Sequence, residues 1–237
     1  MGTRHLVCVF WKGRWVLAQY GGSDGFPEGR GIRILKFLSV AHNIEKLKAG
    51  LDHVYYPTEE ELDAIWDECQ AWDANWRAQH FYSEYGMKGV NQLYPSLASD
   101  ASARILGMIA RAAQTQEEDG AEDGAEKDPK KIPVQLQLEF ANESLFCEWA
   151  YVVELDKEVF EVYYGNERKH DGHRFKDVGE PDEPVPAFVC SLKFSETYLI
   201  KSPQEFFDRV SEALFERAQD NAKADEETEI QDEGYRA

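Results

Sequence analysis

The sequence carries none of the short motifs that would fix a reaction. Its four cysteines, Cys8, Cys69, Cys147 and Cys190, are far apart and form no Cys-x-x-Cys pair. Cys8, Cys147 and Cys190 lie in or beside strand-like apolar runs, where cysteine behaves as a small buried hydrophobe. No secretory apolar segment follows the polar opening Met-Gly-Thr-Arg-His, so a reducing, cytoplasmic location is expected. No apolar run is long enough for a membrane span, and Leu6 occupies the position where a myristoylation signal needs Ser or Thr. Neither a Gly-x-Ser-x-Gly element nor a His-Glu-x-x-His helix occurs, and the glycine spacing matches neither the dinucleotide fingerprint nor the P-loop. Basic residues are scarce, 26 against 45 acids for a net charge of -19, which excludes nucleic acid and anionic membrane as main partners.

What is present is enough for a sizeable core. The chain has 237 residues, 43% hydrophobic and 13% aromatic, so most of it should fold. The charge is concentrated. Residues 114–128 hold seven acids against Lys127, and residues 216–237 hold eight against Arg217, Lys223 and Arg236. These segments read as a solvating insertion at 114–131 and a disordered acidic tail at 221–237, flanking or interrupting one α+β domain over 1–220.

Leu6–Trp11 and Trp15–Tyr20, joined by Lys12-Gly13-Arg14, predict a hairpin at the N-terminus. Ile32, Ile34, Leu35, Phe37 and Leu38 predict a helix, and Thr58-Glu59-Glu60-Glu61 is a capping box opening a second. A third helix is expected from Ser99-Asp100. Strands are expected at Val134–Phe140, Cys147–Leu155, Val159–Tyr164 and Ala187–Phe194, with a long polar loop over 165–186. Ser202-Pro203-Gln204-Glu205 starts a last helix. Short links between successive strands imply a mainly antiparallel sheet covered by helices, with N-terminal-nucleophile-hydrolase-like layering as one option.

The glycine-dense stretch 21–31 is the most informative segment. Such a loop can present N–H groups to an anion, and Asp24 and Glu28 can act as acids, bases or ion ligands. Gln19, Asp24, Gly25, Pro27, Glu28, Gly29 and Gly31 are therefore the candidate ligand contacts, for a small molecule or a peptide. The bland alternative is that the glycines only turn the chain. His170, Asp171 and His173 fall within four positions, but in a polar loop without an evident third ligand, so no metal or cofactor is expected. Trp66, Trp72, Trp76, Phe81, Tyr82 and Tyr85 read as packing of a long helix rather than a ligand surface. Nothing fixes an oligomeric state.

Met1-Gly2-Thr3-Arg4, the hairpin, Gln19-Tyr20-Gly21 and the run Asp24 to Gly31 resemble a family of uncharacterised fungal proteins. Shorter relatives in bacteria and phages open M-x-T-R and carry a later D-G-(F/Y)-P-x-G-x-G segment. Leu97–Ile109 and Glu148–Asp156 fit the same resemblance. Ser23 departs from it, standing where the family has an aromatic residue before Asp-Gly. The resemblance implies no activity. The residues themselves suggest one alternative to ligand binding: an N-terminal-nucleophile amide hydrolase in which Thr3, freed by cleavage after Gly2, supplies both hydroxyl and amine, with Arg4 orienting a carboxylate. A third reading is an interaction module without a ligand cleft.

Overall fold

The computed structural model describes residues 2–79, 88–113, 131–143 and 145–234, with side chains as far as 223. The first two strands, β1 (His5–Trp11) and β2 (Arg14–Gly21), pair antiparallel as the sequence predicts. Lys12 and Gly13 both have positive φ, 53° and 72°, the geometry that matches a tight turn to the strand twist. The Asp156 carboxylate pins this turn by accepting the Lys12 and Gly13 amides, each at 2.9 Å.

After the hairpin come α1 (Ile32–Leu38), α2 (Ala41–Gly50), β3 (Val54–Tyr55), α3 (Glu59–Gln79), α4 (Lys88–Leu93) and α5 (Arg104–Ala112). The capping box forms: Thr58 Oγ1 accepts the Glu61 amide at 3.2 Å, and Glu61 accepts the Thr58 amide at 2.8 Å. Next are β4 (Ile132–Pro133), β5 (Trp149–Glu154), β6 (Val159–Tyr164), β7 (Phe188–Lys193), α6 (Phe194–Thr197) and α7 (Pro203–Gly234).

Five strands form one sheet in the order β2-β1-β5-β6-β7. All pairings are antiparallel except β1 with β5, which run parallel from His5↔Trp149 to Phe10↔Glu154. The intervening helices provide the crossover that a parallel pair needs. The halves on either side of the acidic segment thus share one sheet, and the fold is α+β.

One sheet face carries Val7, Val9, Leu17, Tyr151, Val153, Phe160 and Val162, packed against buried residues of α1, α2, α5 and α7. The opposite face carries Leu6, Cys8, Ala18, Ala150, Val152 and Tyr163, covered by irregular chain that buries Phe175, Val178 and Val185. A satellite cluster of Ile65, Cys69, Val90, Leu97 and Ala98 ties α3 to α4.

Several expectations shift. Val134–Phe140 is not a strand: Ile132–Pro133 pairs with β3, Leu136 makes one bridge to Ala18, and Leu138–Asn142 is a 3-10 turn. The Gln137 side chain accepts the Tyr20 amide at 2.9 Å, taking a bond that a continued ladder would have used. The third helix starts at Arg104, after a run of turns. The last helix continues to Gly234, through the stretch expected to be disordered, which holds no proline or glycine before that residue. The 165–186 loop is irregular but well anchored, with a Glu167–Val185 bridge and His173 buried. The acidic stretch 114–130 and the aromatics Phe81, Tyr82 and Tyr85 lie outside the described residues.

Candidate functional site

The glycines of 21–31 are placed by close approach. A Cβ on Gly21 would stand 2.2 Å from His5 Cε1, and one on Gly29 would stand 2.4 Å from the Asp24 carbonyl oxygen. The Gly25 amide donates to the Thr3 carbonyl at 3.0 Å, and the Gly29 and Arg30 amides both donate to Phe26. Those three N–H groups are therefore spent within the chain and not offered to an anion. Tyr151 closes the loop from beneath, its hydroxyl donating to the Gly25 carbonyl at 2.7 Å. Asp24 sits at φ 60°, exposed, and pairs with Arg30 at 3.9 Å.

Under this loop lies a buried polar cluster. His5 is fully buried and shares a hydrogen bond between Nε2 and the hydroxyl of Ser102, itself fully buried at φ 42°. Burial first, then the charge of Arg30, lowers the His5 pKa to about 4, so the ring is neutral and shares one hydrogen bond with the Ser102 hydroxyl. Gln19 is buried beside it, donating to the carbonyls of Ala98 and Tyr20 at 3.3 and 3.4 Å. A serine on a histidine is a nucleophile arrangement, but here both members are sealed beneath the loop and the pair anchors the start of α5.

The predicted residues divide accordingly. Asp24, Glu28 and Gly29 line an open hollow of about 570 Å³ together with Phe26, Ile32, Arg33 and Lys36. Gln19, Gly25, Pro27 and Gly31 are buried in the packing. Thr3 is buried at the start of the chain's path into β1. Arg4 turns elsewhere, its guanidinium 4.5 Å from the Phe146 ring and its amide donating to Glu148 at 3.3 Å. Neither residue lines the hollow. Ser23 packs against Gly2, where an added Cβ would come within 2.8 Å.

A larger concavity lies on the other sheet face, against the 165–186 loop. It measures about 1030 Å³ and is walled by Phe10, Trp15, Tyr163 and Phe188, with Arg14, Lys157 and Lys176 among its charged lining. Its floor is an ion clamp. Arg174 binds Glu161 through both Nε (3.0 Å) and a terminal nitrogen (2.6 Å), and Glu154 through the other terminal nitrogen at 2.6 Å. Burial opposes the charge on Arg174, but the bonds and charges of Glu161 and then Glu154 more than offset it and raise its pKa. Tyr163 donates to Glu161 at 2.9 Å, and burial followed by that carboxylate raises its pKa. Trp15 stacks on Phe175 at 5.3 Å, holding the loop to the sheet.

His173 is structural here. Its Nδ1 accepts the Phe175 amide at 3.0 Å, which leaves Nε2–H to donate to Glu167 at 2.9 Å and Pro186 at 3.2 Å. Burial lowers its pKa, with Glu167 opposing. Both nitrogens are engaged, and no group of three metal-ligating side chains gathers among the described residues.

No protein-family model, curated protein or solved structure matches this chain. The geometry alone bears on function. The cavity joins a charged floor and aromatic walls, with residues of the 165–186 loop and of the Leu138–Glu139 segment in its lining. Sequence reasoning missed it. A signal existed in Glu154 and Glu161, charged residues inside apolar strand runs, whose burial demands a cation.

Proposed function

We propose that this chain is a small-molecule or peptide binding protein whose ligand seats beneath the 165–186 loop, against β1, β2 and β6. The observation that carries the reading is the cavity of about 1030 Å³ over the Glu154–Arg174–Glu161 clamp. Buried ion pairs contribute little net stability, and their best-attested use is to fix one geometry. Here they hold a loop residue rigidly at the base of a space large enough for a drug-sized ligand. The glycine-rich loop belongs to the scaffold in this reading, and its hollow beside Asp24 is the competing seat.

The test is equilibrium dialysis of the full chain against a mixed library of metabolites and short peptides, read by mass spectrometry. Phe188→Ala and Lys176→Glu change exposed lining residues of the cavity, and Asp24→Ala changes the hollow. Ligands retained by the wild type and lost with the first two support the proposal. Ligands lost only with Asp24→Ala move the seat to the glycine-rich loop. Retention of nothing leaves the interaction-module reading in its place.

A further inference from the structure

A second cleft lies on the opposite side of the fold, where α5 meets the β3–β4 ladder and the segment after α4. Leu93, Pro95, Met108, Ile132 and Pro133 supply apolar wall, and Tyr55 and Tyr94 supply aromatic wall, around about 270 Å³. That is the volume of about nine liquid waters.

Its polar lining is one-sided. Arg111 and Lys131 are exposed at the cleft, and neither has an ion-pair partner among the described residues. The remaining polar side chains are the hydroxyls of Ser96, Tyr55 and Tyr94, and the Tyr94 hydroxyl already donates to Glu68 at 2.7 Å. No acid is among the described residues lining the cleft. The larger cavity, by contrast, mixes Glu139, Glu161, Glu167 and Asp177 with its cations.

An apolar slot whose described lining carries two cations and no carboxylate is complementary to a compact apolar body with one anionic group. We infer that this cleft binds a small amphiphilic anion, an aromatic or branched aliphatic carboxylate or sulfonate, with its charge between Arg111 and Lys131. A neutral ligand of the same shape would pair with neither cation, and a cationic ligand would face like charge. The inference does not depend on the cavity beneath the 165–186 loop.

The experiment uses the full chain and naphthalene-2-sulfonate, titrated by isothermal calorimetry and by amide chemical-shift mapping, with neutral 2-naphthalenemethanol as control. The expected result is saturable sulfonate binding that weakens with rising salt. Shifts should centre on Tyr55, Tyr94, Met108 and Ile132, and the alcohol should bind roughly tenfold more weakly or worse. Arg111→Gln and Lys131→Gln alter exposed side chains without threatening the fold, and each should weaken the sulfonate by about fivefold. Met108→Trp, which fills the slot, should abolish binding of both probes. The inference is overturned by no saturable binding, by equal affinity for sulfonate and alcohol, or by shifts centred on residues 167–179. Unchanged affinity in the Arg111→Gln/Lys131→Gln double variant would do the same.

Discussion

Replacing Arg174 with Met tests the floor of the cavity. The change keeps the stem and removes the guanidinium, leaving Glu154 (side chain 1% exposed) and Glu161 (12%) side by side with no counter-ion. Deleting one partner of a buried pair costs about 3–5 kcal/mol, because the surviving charge stays desolvated. Arg174 is 13% exposed and borders a cavity open to water, so the low end applies, about 3 kcal/mol. For a chain this size the urea dependence is about 2–3 kcal/mol per molar, so the unfolding midpoint should fall by about 1 M. Urea unfolding followed by tryptophan fluorescence gives the number. The cause is then checked by adding Glu154→Gln and Glu161→Gln to the Arg174→Met chain. The amides keep acceptors for the Asp156 amide and the Tyr163 hydroxyl while removing both charges. At least half the lost stability should return. A loss below about 1 kcal/mol, or no recovery with the amides, would refute the clamp as described.

The remaining predictions concern the opposite face and the packing. His5, with its pKa lowered to about 4 by burial and then by Arg30, takes up its proton in the unfolded chain first as pH falls. Stability from this residue is complete above about pH 6.5 and is lost as pH drops toward 4, by roughly 3 kcal/mol in full. His5→Gln should flatten that part of the stability profile, and an unchanged slope would contradict the assignment. Gly50→Ala should cost about 2–3 kcal/mol, since its Cβ would lie 1.9 Å from the Ile109 carbonyl oxygen where α2 crosses α5; a neutral result would mean the helices pack less closely. Burial, aided by Glu148, pushes the Cys147 thiol up to about 12, and burial pushes Cys190 to about 11 despite Arg209. A thiol reagent at mildly alkaline pH should label Cys147 only on unfolding and the half-buried Cys190 more slowly in the folded than in the unfolded chain; rapid labelling of Cys147 in the folded chain would count against its buried placement.

Local chemistry made much of the fold legible and left the site hidden. The Lys12-Gly13 turn, the Val159–Tyr164 strand and the Thr58–Glu61 cap are decided by neighbouring residues, and the sequence reads them correctly. The parallel His5↔Trp149 pairing joins distant segments and leaves no local trace. Apolar alternation at Val134, Leu136 and Leu138 suggests a strand, but Gln137 diverts the chain by bonding Tyr20. Glycine density around 21–31 marks a constrained backbone without saying what constrains it; His5 and Asp24 do so for Gly21, Gly25 and Gly29. Arg174 gave no signal at all, because its role comes from a loop folding back across two strands onto Glu154 and Glu161.

Amide chemical-shift mapping of a fragment library on the full chain tests whether a ligand seats beneath the 165–186 loop. Fragment hits should perturb residues 10–15, 157–163, 167–179 and 188 together, with tightening of the loop amides on saturation. Perturbations gathered instead at residues 24–36, or none at saturating fragment, would contradict it.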